Sequence, residues 1–310
     1  MSQLQVITTI SNPARYESRY RLYRDFCVRM KSCGASLYTI ELAAEDQEFS
    51  VTESTNPFHF QLRSSHELWY KENLVNIAIG RLPSDWQYVA WVDADVSFAR
   101  PDWVDETIRM LQQHAFVQMF SHVVDLGPRF EPLRLDEGFA FRYARDRDQR
   151  LPGQGKVDPV TKSEIGQPGY AWAARRDELT SVGGLIDWSI MGSNDYYMAL
   201  ALIGQVEPAS TGMPDSNYAA MLLQWQHKCE QHVHRDIGYV GTTLLHYWHG
   251  NRKHRGYETR WRILADHQFD PAIDLRKDTV GLLNLTDANP GLRDDIRSYF
   301  RARREDDVDT

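Results

Sequence analysis

Apolar residues along the first 125 positions alternate between two spacings. Short apolar, β-branched runs indicate strands at 4–10, 35–42, 88–92 and 115–121. Apolar residues at helical spacing between those runs indicate helices at 14–31, 67–80 and 101–113. This order predicts an α/β fold with a mostly parallel central sheet flanked by helices.

The second half of the chain is less regular. Residues 127–166 are rich in Arg, Asp, Gly and Pro, which predicts a long lid or acceptor loop. Further strands are predicted at 169–174 and 239–247, and further helices at 176–182, 194–203 and 217–231. We therefore divide the chain into a domain over 1–270, made of a nucleotide-binding half (1–125) and an acceptor or catalytic half (126–270), followed by a C-terminal extension over 271–310 whose charged end is expected to fray.

Composition narrows the class of protein. The 310 residues carry 35 Lys and Arg against 43 Asp and Glu, a net charge of −8, which argues against a general nucleic-acid binder. No apolar run approaches the roughly 20 residues that span a bilayer, and the first residues lack the pattern of a secretory signal. Three cysteines are too few for a disulfide framework, so we expect a cytoplasmic protein.

Two carboxylates follow the predicted strand at 88–92, in the run Trp-Val-Asp-Ala-Asp-Val that contains Asp93 and Asp95. Ligands of open α/β sheets bind at the carboxyl ends of strands, so we expect functional residues just after Ile10, Leu42 and Val92. Carboxylate oxygens suit Mg²⁺ or Mn²⁺. The pairs Asp146/Asp148 and Asp307/Asp309 lie in a polar loop and in the tail, where solvated charge is the better interpretation.

Several short motifs keep a fixed order around this pair. Lys-Glu-Asn-Leu-Val-Asn begins at Lys71, Gly-Tyr-Ala-Trp-Ala-Ala-Arg-Arg at Gly169, Ser-Asn-Asp-Tyr-Tyr at Ser193 and His-Tyr-Trp-His at His246. In this order the motifs resemble the GT-A-fold glycosyltransferases, family-2-like in the first half and galactosyltransferase-like near the C-terminus. The resemblance covers roughly residues 3 to 265.

The resemblance implies a Rossmann-like GT-A fold and a metal-dependent transferase that inverts the sugar. The donor would be a nucleoside-diphosphate sugar, UDP-linked, and the cation Mn²⁺ or Mg²⁺. Asp195 would be the general base, with Asp93, Asp95 and one of His246 and His249 at the metal. Two histidines three apart on a strand point to opposite faces, so both bind only if the chain turns there.

The resemblance also implies a set of donor contacts. They are Thr9, Asn12, Arg15, Glu41, Lys71, Asn76, Asp93, Trp172, Asn194 and Arg252. For most of them a solvated turn or helix residue is an equal alternative. Two departures from the family pattern stand out: Asn194 replaces the first acid of the catalytic motif, and the first strand lacks a Pro-x-Arg-Asn signature.

Other functions stay open at this level. The acceptor is either a bacterial surface glycan or a hydroxymethylated pyrimidine in phage DNA, which the basic stretches Arg15–Arg29 and Arg252–Arg262 would track. A nucleotidyltransferase or sugar-nucleotide pyrophosphorylase is disfavoured because residues 11–15 contain no glycine to cradle a triphosphate. A binding module without turnover is the third reading.

Overall fold

A computed structural model describes residues 3–146, 165–213, 215–257, 259–286 and 288–308. The strands are β1 Leu4–Ser11, β2 Ser36–Ala44, β3 His59–Ser64, β4 Tyr88–Val92, β5 Val96–Phe98, β6 Phe116–Gln118, β7 His122–Leu126, β8 Pro132–Glu137, β9 Ala171–Arg175, β10 Ile237–Tyr239, β11 Thr243–His246, β12 Leu275–Lys277 and β13 Leu283–Leu285. The helices are α1 Glu17–Ser32, α2 Lys71–Ile79, α3 Trp103–Leu111, α4 Phe139–Arg145, α5 Arg176–Val182, α6 Asn194–Leu202, α7 Asn217–His232, α8 Arg260–Asp266, α9 Pro271–Asp274 and α10 Pro290–Arg301.

The central sheet has seven strands in the order β10-β6-β9-β4-β1-β2-β3. All neighbours run parallel except β9, which is antiparallel to both β6 and β4. The predicted α/β class, with a mostly parallel sheet flanked by helices, is confirmed. The strand order reverses between β1 and β4, and such a switch point opens a crevice at the carboxyl ends of the two strands.

Alternating side chains of the central strands enter two different cores. Val89 and Trp91 of β4 pack into one hydrophobic cluster, and Ala90 and Val92 pack into the other. This pattern explains why β4 reads as an unbroken apolar run, because both faces of the sheet are covered.

A second sheet, in the order β5-β11-β7-β8, lies beyond the end of β4. Strand β11 lies between β5 and β7, and its last residue, His246, is paired with Val96 on one side and Asp125 on the other. The predicted single strand over 239–247 is therefore wrong. The chain turns at Val240–Thr242, where the Thr242 N–H donates to the Val240 carbonyl, and β10 and β11 join different sheets.

Two other expectations need correction. Strand β3 was not predicted, because it is an edge strand in which only Leu62 and Ser64 are buried. The segment 127–166 was expected to be one loop, but it contains β8 and α4. Strand β8 has no inward-facing periodicity, since its first four residues are all exposed. Residues 147–164 of the expected loop lie outside the described residues.

The charged C-terminal end is docked rather than frayed. Glu305 is 1% exposed and accepts hydrogen bonds from Arg19, and the Asp306 carboxylate accepts from the N–H groups of Glu17 and Ser18 at the start of α1. The indole of Trp248 donates to the Asp307 carbonyl at 2.8 Å. The tail thus closes one side of the crevice. Among the described residues, no helix is both long and apolar enough to cross a bilayer.

Candidate active site

A cavity of about 830 Å³ opens at the switch point between β1 and β4. It is lined by residues 9–14 at the end of β1 and by residues 93–95 after β4, as the positions of Ile10 and Val92 predicted. The expected contribution after Leu42 is absent from this lining. The size suits a small-molecule substrate or cofactor.

Three side chains converge on one point of the cavity. Asp95 Oδ2 lies 3.0 Å from His249 Nε2 and 3.8 Å from His246 Nε2, and the two Nε2 atoms are 3.2 Å apart. The register of β5 and β11 brings Asp95 beside His246, and the irregular chain after β11 returns His249 to the same side. Both histidines face the carboxylate because the chain turns between them, which is the condition under which the sequence allowed both to bind.

In both histidines, the ring nitrogen that faces away from Asp95 has a polar neighbour of its own. His246 Nδ1 lies 2.8 Å from Asp125 Oδ1, and Asp125 also accepts hydrogen bonds from Tyr170 and Arg252. His249 Nδ1 lies 2.9 Å from Arg255 and 3.5 Å from Glu305 Oε2. Such outer contacts fix the orientation of metal-binding imidazoles.

The donor set fits a divalent cation. One carboxylate oxygen and two imidazole nitrogens suit Mn²⁺ and related ions. Asp95 Oδ1 is buried and has no hydrogen-bond partner among the described residues. Burial opposes ionisation of Asp95, but His249 and then His246 hold its pKa well below its usual range, so the carboxylate is available as an anion. Within the described part of the chain, only this trio forms a group that could hold a metal ion.

Asp93 lies on the other side of the turn. Its carboxylate forms an ion pair with Lys71 at the start of α2, and it does not belong to the Asp95–histidine trio. Burial raises the pKa of Asp93, and Lys71 opposes that effect. Lys71 and Asp93 both line the cavity, so the two acids of the motif address different parts of it.

Asp195 also lines the cavity, as the second residue of α6. Its Oδ1 accepts a hydrogen bond from the Tyr196 N–H at 2.9 Å. Opposite lies Gly169, where an added Cβ would stand 2.6 Å from Asp195 Oδ2. The glycine therefore leaves the space that the carboxylate occupies.

Five of the ten residues expected to contact the donor line the cavity: Thr9, Asn12, Lys71, Asp93 and Arg252. Both polar groups of the Asn12 side chain are hydrogen-bonded to the backbone of Tyr16. The other five lie outside the cavity lining: Arg15 is exposed, and Glu41, Asn76, Trp172 and Asn194 make structural hydrogen bonds.

Buried hydrogen bonds account for the rest of these positions. The Glu41 carboxylate accepts bonds from the N–H groups of Ser50, Val51 and Thr52 and from the Thr52 hydroxyl, so it anchors that loop. Asn76 bonds to both backbone groups of Leu185.

Trp172 and Asn194 lie behind the cavity wall. The Trp172 indole is 1% exposed and donates to the Pro168 carbonyl. Asn194 is also 1% exposed, and it donates to Glu72 Oε2 at 2.7 Å and to the Ser189 carbonyl at 3.2 Å. Asn194 thus supports a cavity carboxylate instead of facing the substrate.

Six lining residues were not singled out by the sequence analysis: Glu72, Asp125, Tyr170, Tyr257, Arg303 and Glu305. Asp125 belongs to the second sheet, and Arg303 and Glu305 to the C-terminal tail, where no motif marks them. Glu72 is inside a motif that we used, but it stands between the polar residues Lys71 and Asn73, and this pattern gave no sign that Glu72 is buried against the cavity. Phe300, a buried apolar residue in the last turn of α10, is a signal in the sequence that could have indicated a docked tail.

Glu72 is the basis of a stability prediction. It is 5% exposed, and burial raises its pKa to about 7 despite the opposing effect of Lys71. The folded protein holds a proton that the unfolded chain loses above pH 4.5. The contribution of Glu72 to the free energy of unfolding is therefore greatest below pH 4.5. It falls by about 3 kcal/mol as the pH rises to 7, because the unfolded chain then ionises and the folded protein does not.

Glu72→Gln should remove this loss, because a glutamine oxygen can still accept from Trp69 and Asn194. Urea unfolding should show that the variant gains about 1–3 kcal/mol over the wild type between pH 5 and pH 8. The exposed Glu48→Gln is the matched control, with no such trend. A gain that is equal at both pH values would contradict the assignment.

Comparison with known proteins gives structural similarities only. No family model and no curated protein sequence matches the chain. One similar solved structure is a Drosophila β1,4-galactosyltransferase 7 mutant in complex with manganese, UDP-Gal and xylobiose. The match has 11% sequence identity and a TM-score of 0.35, and it covers 64% of this chain and 60% of that one. Mannosyl-3-phosphoglycerate synthase from Rubrobacter xylanophilus matches at 12% identity and a TM-score of 0.39 over 92% and 84%.

A third similar structure is 4-diphosphocytidyl-2C-methyl-D-erythritol synthase from Anaerococcus prevotii. It matches at 12% identity and a TM-score of 0.36 over 78% of this chain and 87% of that one. With TM-scores below 0.4, these likenesses give no residue a role in this protein. The assignment of a function therefore depends on the geometry of the site.

Proposed function

We propose that the protein is a metal-dependent glycosyltransferase. It moves a sugar from a nucleoside-diphosphate sugar, the UDP form by the family resemblance, to an acceptor hydroxyl with inversion. One observation carries the proposal: the Asp95, His246 and His249 trio and the Asp195 carboxylate line one cavity at the switch point of the sheet.

The residues divide the work between the two ends of the donor. Asp95, His246 and His249 would hold the cation, which neutralises the charge on the departing diphosphate. Residues 9–14 at the end of β1 supply backbone and side-chain groups for the nucleotide. Lys71 adds a buried positive charge beside Asp93, and Asp93 raises its pKa against the effect of burial.

Asp195 would act on the acceptor. Its carboxylate takes the proton of the acceptor hydroxyl, the oxygen forms a bond to the anomeric carbon, and the bond from that carbon to the diphosphate oxygen breaks. Attack opposite the leaving group inverts the configuration. The Tyr196 N–H, which bonds to Oδ1, fixes the carboxylate in place.

Arginine positions bear on the choice of acceptor. Arg255 and Arg260 are each 5% exposed, within the cavity wall. The basic stretch over 252–262 therefore does not present a continuous surface for a DNA backbone, and we favour a glycan or other small acceptor over hydroxymethylated DNA. Salt-dependent binding of duplex DNA would count against this choice.

Donor turnover tests the proposal. With Mn²⁺ and a panel of UDP-, GDP-, CDP- and ADP-sugars, one donor should release its nucleoside diphosphate by slow hydrolysis, faster with an acceptor, and chelation by EDTA should stop the reaction. Release of inorganic pyrophosphate from a nucleoside triphosphate and a sugar phosphate would instead support the nucleotidyltransferase. Binding of a donor without any turnover would support a binding module that has no catalytic activity.

The space beside Gly169 supports a further prediction. Gly169→Ala should push the Asp195 carboxylate aside and lower turnover roughly 10²-fold, because small displacements of a reacting group are costly. The fold should survive, since the group that must move is the end of a side chain. Gly241→Ala, where an added Cβ meets no atom within 4 Å, is the matched control. Steady-state kinetics and melting curves would check both, and unchanged turnover in Gly169→Ala would contradict the role of Asp195.

A further inference from the structure

Three buried arginines form one wall of the cavity, which we call the arginine wall: Arg255, Arg260 and Arg303. Their exposed fractions are 5%, 5% and 3%. Arg260 and Arg303 both pack on the ring of Trp69, at 5.4 and 5.6 Å from its centroid, and Arg260 also lies 5.0 Å from the centroid of Tyr257. Aromatic rings stabilise guanidinium groups in this arrangement without neutralising them.

Few counter-ions reach the arginine wall. Glu305 pairs with Arg303 at 2.7 Å, but it also pairs with Arg19, so one carboxylate serves two cations. In the ranges that the structure describes, which leave out Glu258, neither Arg255 nor Arg260 has an ion pair with a carboxylate. Arg255 Nε and Arg303 Nη1 are buried there without a hydrogen-bond partner. Buried charge of this kind is costly unless a ligand compensates it.

Tyr257, which is 37% exposed, lies beside the arginine wall, with Arg260 5.0 Å from the centroid of its ring. Partial burial would raise the pKa of the phenol. The charges of Arg255, Arg260 and Arg303 outweigh that effect and lower the pKa to about 8. The wall therefore stabilises negative charge at this position of the cavity.

Within the arginine wall, Arg255 lies closest to the metal trio: it donates to the His249 carbonyl at 2.8 Å and so positions a metal ligand. Arg303 is linked to the trio through Glu305, whose Oε2 lies 3.5 Å from His249 Nδ1. Arg260, the first residue of α8, instead extends its side chain to the start of α6, where its Nη2 is 3.3 Å from Ser193 Oγ and its charge interacts with Asp195. An anion bound by Arg260 would sit beside the base, where the acceptor must place its hydroxyl.

We infer that Arg260 and Arg303 bind an anionic group, a phosphate monoester or a carboxylate, on the acceptor substrate. This inference rests on the proposed function, since it takes Asp195 as the end of the cavity that receives the acceptor. The planar fork of an arginine matches two oxygens of such a group at once, which would fix the acceptor hydroxyl against Asp195.

Calorimetry with three small probes tests the inference. Glycerol 3-phosphate is the phosphate probe, glycerate is the carboxylate probe, and glycerol is the uncharged probe. Each is titrated into the full chain, alone and with saturating Mn²⁺ and UDP. We expect an anionic probe to bind in the presence of Mn²⁺ and UDP and glycerol not to bind. Arg260→Gln should weaken the probe at least tenfold and leave UDP affinity unchanged, and Arg260→Lys should lie between. Arg109→Gln, at an exposed ion pair on α3, is the matched control.

Three results would overturn the inference. Competition between the probe and UDP would assign the arginine wall to the donor diphosphate. A probe that does not bind, or that binds equally well to Arg260→Gln, would leave Arg260 a structural residue. If Arg260→Gln loses affinity for UDP and for the probe together, Arg260 maintains the structure of the whole cavity and is not a specific contact of the anion. If UDP shows no Mn²⁺-dependent binding while the probe still depends on Arg260, the proposed function fails and an anion site remains.

Discussion

Asp95→Asn should abolish metal-dependent binding of the nucleotide. Asp95 is the one carboxylate in the trio, its Oδ2 contacts both histidines, and its Oδ1 is buried without a partner among the described residues. An amide removes the negative charge that a divalent cation requires, and it places an N–H₂ group or a neutral oxygen against the imidazoles. We expect Mn²⁺ affinity to fall by about 10²-fold or more, because the loss of even an outer contact of a metal site lowers metal affinity roughly 10–100-fold.

Mn²⁺ titrations followed by electron paramagnetic resonance would measure this loss without any turnover. Asp146→Asn, in the second Asp-x-Asp pair, is the matched control, because Asp146 is paired with Arg145 away from the cavity. Turnover with the cognate donor should disappear together with Mn²⁺ binding. Equal Mn²⁺ affinity in wild type and Asp95→Asn would rule out the trio as the metal site.

Asp195→Asn should separate chemistry from binding. An asparagine oxygen can still accept from the Tyr196 N–H, so the start of α6 is retained. The amide cannot take a proton from the acceptor hydroxyl. General-base catalysis contributes about 10²–10⁴-fold, so kcat should fall by that amount while Mn²⁺ and UDP affinity stay within about threefold.

Asp177→Asn is the control for this variant, because Asp177 is the second residue of α5 just as Asp195 is the second residue of α6, but it is exposed. Steady-state kinetics with varied donor and acceptor give kcat and KM separately. If kcat changes less than tenfold in Asp195→Asn, another group serves as the base. If UDP affinity falls in parallel with kcat, Asp195 belongs to the donor site.

The sequence could predict the parts of this fold that local pattern determines. Strand β4 matches its predicted bounds because both faces are buried, and α5 ends where Gly183, with φ of 88°, adopts the left-handed conformation. Asp95 after β4 and residues 9–14 at the end of β1 reach one cavity because adjacent parallel strands end at the same edge.

Other parts depend on contacts that no local pattern reports. His246 and His249 face the same carboxylate only because the chain leaves the strand between them. Asp125 supports His246 through the register of β7 and β11. Glu305, in a tail that reads as solvated charge, is buried because Arg19 and Arg303 surround it. Conversely, Glu41 looked like a ligand contact, but the loop over 50–52 uses its oxygens.

The most direct test of the central claim is the melting temperature with UDP, GDP, CDP and ADP, each with and without Mn²⁺, on wild type and Asp95→Asn. A ligand that binds only the folded state raises the melting temperature, and the shift grows with the logarithm of the ligand concentration relative to its Kd. We predict a shift with one nucleotide that requires Mn²⁺ and is absent in Asp95→Asn. A wild type that responds to none of the four nucleotides in the presence of Mn²⁺ would contradict the assignment of this cavity as a nucleotide-sugar site.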